Sequence, residues 1–105
     1  MLFIVTLTYR RPPNELERQL DDHRAWLATN TRRGSFIIAG PLASKTGGLI
    51  IAHAATREEL DAIVATDPFV NEGLVDVEVR AVAPAIRHAE FPVRWAAAAE
   101  ALLVD

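Results

Sequence analysis

Two stretches of helical periodicity, each set between strand-like runs, constrain the fold of this chain more than anything else in its sequence. Leu2 to Tyr9 is a β-rich run that stops firmly at Arg10-Arg11-Pro12-Pro13. From Asn14 to Leu27 the pattern changes to that of a helix. At about 100° per residue, Leu16, Leu20, His23 and Leu27 fall within roughly 60° of one another. Asn14 is a capping residue, and Arg32 and Arg33 followed by Gly34 suit the other end. Ser35 to Ala39 reads as a strand broken by Gly40-Pro41, Thr46-Gly47-Gly48 as a turn, and Gly48 to His53 as the next strand. Thr56-Arg57-Glu58-Glu59 is a capping box opening a second helix with Leu60, Ile63 and Val64 on its inner face. Asp67-Pro68 ends that helix and starts a short turn closed by Gly73. Leu74 to Val82 then alternates, with Val75, Val77 and Val79 on one side and Asp76, Glu78 and Arg80 on the other.

The order strand, helix, strand, strand, helix, strand predicts the split βαβ, or ferredoxin-like, α+β arrangement over residues 1–83. In it, two helices cover one face of a four-stranded antiparallel sheet. The first three strands are apolar on both faces: Phe3, Val5 and Leu7 against Leu2 and Ile4, and Phe36 and Ile38 against Ile37 and Ala39. A bare apolar sheet of several hundred Å² is not tolerated on a monomer, so a second copy is expected to cover the far face as a C2 homodimer. Residues 84–105 form an extension, and Pro92 to Val104 is expected to be a helix carrying Trp95, Ala98, Leu102 and Leu103, packed on the domain or clasping the partner.

With 105 residues there is room for one core, and a net charge of −3 with no basic run longer than Arg10-Arg11 or Arg32-Arg33 argues against nucleic acid. The chain has no cysteine, which excludes disulfides, thiolate nucleophiles and zinc–sulfur sites. No stretch approaches the roughly 18 apolar residues of a membrane span, and Met1-Leu2-Phe3-Ile4-Val5 does not read as a signal peptide. A cytoplasmic location without membrane partners is expected.

His23 is the residue out of place. It points where a leucine would normally go, and burying an unpartnered imidazole costs about 1–3 kcal/mol, so it should have a partner or a cavity. One reading is a core histidine bonded to a backbone carbonyl; the other is a functional base. Asp67 likewise has two readings, since Asp is a favoured N-cap and Pro68 a favoured first helical residue. Phe69 and Trp26 are either core or pocket aromatics. Gly40-Pro41 is a strand-end bend that would bring backbone close to any ligand there. Ser44 and Thr46 follow it in a loop where they could hydrogen-bond a ligand. His53 and His88 show no metal-ligand spacing, and Gly47-Gly48 precedes a strand rather than the helix a phosphate loop requires.

Taken in order, His23 in the first helix, Ala39-Gly40-Pro41-Leu42 ending the second strand, and Asp67-Pro68-Phe69 followed by Gly73-Leu74 resemble the YCII-related (YciI-like) proteins, small dimeric α+β-barrel domains. The resemblance covers residues 1 to 82 and stops short of the tail. It implies a pocket in which His23 and Asp67 form a His-Asp dyad, with Gly40, Pro41, Pro68 and Phe69 around it. It also implies cofactor-free chemistry on small cyclic or aromatic compounds, such as elimination of a halide. A neutral imidazole held by an ionised Asp67 is a competent base, so a lyase or isomerase working by proton transfer is expected, with no cofactor and no metal. The alternatives are a dimeric module that binds a small molecule without turning it over, and a domain whose dimerisation is its function.

Overall fold

A computed structural model describes residues 1–102. The strands β1 (Leu2–Tyr9), β2 (Phe36–Pro41), β3 (Gly47–His53) and β4 (Val75–Val82) form one antiparallel sheet in the order β2-β3-β1-β4. The helices α1 (Pro13–Glu17), α2 (Leu20–Arg32), α3 (Arg57–Val64) and α4 (Pro68–Asn71) complete the expected α+β arrangement. Alternation along the strands puts Phe3, Val5 and Leu7 of β1, Phe36 of β2, and Ile50 and Ala52 of β3 on one face. There they are buried with Trp26, Leu60 and Phe69 from the helices.

The helix expected from Asn14 to Leu27 is two helices, interrupted at Arg18 and Gln19. Neither residue is a helix breaker, so the interruption is a tertiary effect that local propensity does not record. Asn14 does not cap: Pro12 holds the N-cap position and Pro13 the first helical one, where its missing N–H costs nothing. The far end of α2 closes as expected. Gly34 at φ 82° lets its own N–H reach Thr31 O (3.1 Å) and the N–H of Ser35 reach Asn30 O (3.0 Å), a Schellman closure. Gly73, at φ 67°, ends α4 in the same way, with Leu74 N donating to Phe69 O at 2.9 Å.

Two glycine assignments are corrected. Gly40 and Pro41 do not break β2; they pair with Leu49 and Gly48, and Pro41 is tolerated because β2 lies at the sheet edge. Gly47 and Gly48 belong to β3, not to the turn. The turn is residues 42–46, with Lys45 at φ 62°. Gly47 is glycine because a Cβ there would run into the Leu7 carbonyl of the neighbouring strand. One extra residue, Ile37, bulges β2 between Phe36 and Ile38.

Among the described residues the tail contains no α-helix. Ile86–His88 (β5) and Glu100–Leu102 (β6) pair in parallel around a 3₁₀ turn at Val93–Trp95, and neither joins the main sheet. The alanine run 96–99 is too short to nucleate a helix alone, and Ala96 takes φ −152° at the close of the 3₁₀ turn. The Arg87 guanidinium holds the loop shut by donating to Phe91 O at 3.0 Å. Leu103 and Val104 of the expected helix lie outside the described residues. A radius of gyration of 14.9 Å exceeds the ~13 Å of a compact chain this long, and the extents of 49 × 28 × 22 Å fit an arm standing off the main sheet.

Candidate active site

His23 and Asp67 meet although 44 residues separate them. The first turns of α2 aim the imidazole at the end of α3, where Asp67 begins α4. His23 Nδ1 lies 2.7 Å from Asp67 Oδ1, and the carboxylate is fully buried. The same Oδ1 accepts the Phe69 N–H at 3.0 Å, so Asp67 is also the N-cap of α4. One oxygen thus both caps α4 and holds the imidazole. Asp67 Oδ2 is buried without a hydrogen-bond partner among the described residues. With the carboxylate ionised, Nδ1 donates, and the lone pair sits on Nε2.

The Phe69 ring lies flat against the imidazole, centroids 3.9 Å apart and planes within 6°. Tyr9 meets the same phenyl edge-on at 6.4 Å. His23 borders a cavity of about 150 Å³ between α2 and the sheet, walled largely by apolar groups including Leu7, Leu20, Leu27 and Ile50. Gly40, Pro41 and Phe69 also line it. Pro68 does not; it serves as the first helical residue of α4, where its fixed φ suits the turn. A cavity of ~150 Å³ is about the size that admits one benzene ring.

The remaining candidates lie elsewhere. Trp26 donates its indole N–H to Thr66 Oγ1 (2.9 Å) and packs edge-on against Phe36, tying α2 to the end of α3. Ser44 and Thr46 hydrogen-bond each other at 2.8 Å in the exposed loop. His53 and His88 do not border the cavity, and burial together with the nearby Met1 ammonium lowers the His53 pKa. Among the described residues no group of three or more His, Cys, Asp or Glu side chains is placed to hold a metal ion. Tyr9 and Arg24, which sequence reasoning passed over, do line the cavity. Tyr9 is the last residue of a strand and Arg24 sits at the margin of a charged helix face, so neither carries a local signal of its position.

A family model of the YCII-related domain matches residues 1–85. The chain belongs to the YCII-related family. Its fold is also that of two solved structures. One is the 5-chloro-2-hydroxyhydroquinone dehydrochlorinase (TftG) from Burkholderia phenoliruptrix AC1100, in complex with 2,5-dihydroxybenzoquinone. It is 26% identical, with a TM-score of 0.61, over 80% of this chain and 95% of that one. The other is a muconolactone isomerase, 20% identical with a TM-score of 0.68, over 86% of this chain and 93% of that one. No curated protein matches. No described helix of this YCII-related chain is long and apolar enough to cross a membrane.

Proposed function

We propose that this YCII-related chain is a small enzyme that moves a proton on a small cyclic or aromatic compound, in an elimination or an isomerisation. His23 acts as general base through Nε2, and Asp67 fixes the tautomer and stabilises the imidazolium that forms. The observation carrying this reading is the 2.7 Å His23–Asp67 contact beside a cavity that one ring would fill. The likeness to a dehydrochlorinase seen with a quinone supports the reaction class. In the elimination, Nε2 takes a proton from an acidic carbon or hydroxyl and the electron pair released expels a leaving anion from the ring. In the isomerisation, the same proton returns at another carbon. Neither route requires a cofactor.

The functional unit is a homodimer. On the sheet face away from the helices, Leu2, Ile4, Leu49 and Ile51 are half-buried and Ile38 is 60% exposed, a surface suited to a second copy.

A screen of cyclic, phenolic and lactone substrates tests the enzyme reading. His23→Ala should lower a detected turnover by on the order of 10²–10⁴-fold with the fold intact by circular dichroism. Unchanged turnover in that variant rejects the mechanism. Ligand-induced thermal stabilisation with recovery of unaltered ligand would instead identify a binding module.

A further inference from the structure

We infer that the compound held in this cavity is a single-ring anion, and that Arg24 at the cavity's edge selects it by pairing with the anionic group. The inference rests on the reading that the cavity beside His23 is the substrate site, and it adds a charge and a residue to that reading.

Consider the charges around the cavity. Its lining includes one fixed cation, Arg24, and no Asp or Glu. The carboxylate that touches His23, Asp67, stands behind the imidazole and outside the lining. Arg24 is also uncommitted. Arg10, Arg11, Arg57 and Arg80 each lie against a carboxylate, whereas Arg24 makes no ion pair among the described residues. Its side chain is exposed, so it reaches the cavity from the solvent side. A planar guanidinium there presents a fork that matches a carboxylate or a phenolate.

Position makes the pairing useful. His23 and Arg24 are consecutive in α2, so their side chains diverge by about 100° around the helix. One reaches the buried end of the cavity beside Phe69, and the other its open side. A ring between them has its reacting atom toward the imidazole and its charged substituent toward the guanidinium. Without a cation, the buried Asp67 would disfavour an anion through the imidazole it supports. Arg24 offsets that repulsion and orients the ring.

The test compares benzoate with neutral, nearly isosteric benzamide by titration calorimetry and by chemical-shift changes at His23 and Phe69. Wild-type protein should prefer benzoate by about tenfold, the scale of a hydrogen bond to a charged group. Arg24→Gln should bring the two affinities together chiefly by weakening benzoate, and Arg24→Lys should keep part of the preference. His23→Gln should retain the preference, which separates Arg24 from a protonated imidazole as its source. Equal binding of the two probes overturns the inference, as does a preference that survives Arg24→Gln, or no binding of either probe at tens of millimolar. Failure here leaves the proton-transfer reading standing if His23→Ala still lowers turnover as expected. A benzoate preference with no product in any screen does the reverse.

Discussion

Asp67 joins two parts of the fold through one oxygen, and under the proposed function it joins them to the chemistry. Oδ1 takes both the His23 ring and the Phe69 N–H, so removing the side chain costs a helix cap and strands a buried imidazole. Asp67→Ala should therefore destabilise the chain by about 2–4 kcal/mol in urea unfolding, summing a cap at ~1 and an unpartnered polar group at ~1–3 kcal/mol. Asp67→Asn keeps an acceptor for both donors. It should cost about 1 kcal/mol or less, yet lower turnover by on the order of 10²-fold because the imidazolium loses its counter-charge. If Asn behaves like Ala in stability, the shared-oxygen account is wrong. His53 makes a separate prediction in pH. Its pKa is lowered from 6.5 in the folded chain, by burial first and by the Met1 ammonium second. Below that pH the unfolded chain binds more protons, so this contribution is intact above about 6.5 and is lost as pH falls through the lowered folded value. His53→Gln should flatten the stability profile on that acidic side, as read from urea midpoints between about pH 5 and 7.5.

Among elements, legibility in the sequence followed how local each cause was. The capping box at Thr56 is local, and the Thr56 hydroxyl accepts the Glu59 N–H at 3.1 Å as expected. The returning Glu59 carboxylate, however, takes the N–H of Ala55 rather than that of Thr56. The interruption between α1 and α2 was not legible, because no Gly or Pro marks it. Gly47-Gly48 misled for a physical reason: a glycine pair signals a turn, but here the demand comes from β1, whose Leu7 carbonyl leaves no room for a Cβ. His23 announced itself by breaking a leucine stripe. Its distance to Asp67 could not be read from periodicity, since β2, β3 and α3 intervene between α2 and Asp67 in the chain; the resemblance alone named that partner. The cavity wall was the least legible, because Tyr9 and Arg24 border it only once α2 lies across the sheet. A matched pair of variants tests the glycine argument. Gly47→Ala should lose about 1–3 kcal/mol because the obstacle is backbone, whereas Gly40→Ala, whose Cβ meets nothing within 4 Å, should stay within about 0.5 kcal/mol.

For the whole molecule, the sheet dimensions bear on how a dimer would be held. Four strands of six to eight residues present a face of roughly 23 by 19 Å, near 440 Å² on each copy. Two such faces bury roughly 900 Å², short of the ~1,200 Å² where stable interfaces begin. The arm can supply more, since Ile86, Val93 and Leu102 are 64%, 55% and 45% exposed. Sedimentation should therefore show a dimer at micromolar concentration. Ile38→Glu should shift it toward monomer, and truncation after Ala83 should weaken it. A folded wild-type monomer at that concentration would refute the covered-sheet reading.

The flat contact between Phe69 and His23 has a spectroscopic consequence. A ring stacked 3.9 Å above an imidazole shields its carbon-bound protons, moving their resonances away from those of exposed histidines. Only three histidines are present in the chain, and one alone carries this signature. The protein thus contains its own probe: anything that enters the cavity and disturbs the stack should move one resolved signal, without label, chromophore or turnover.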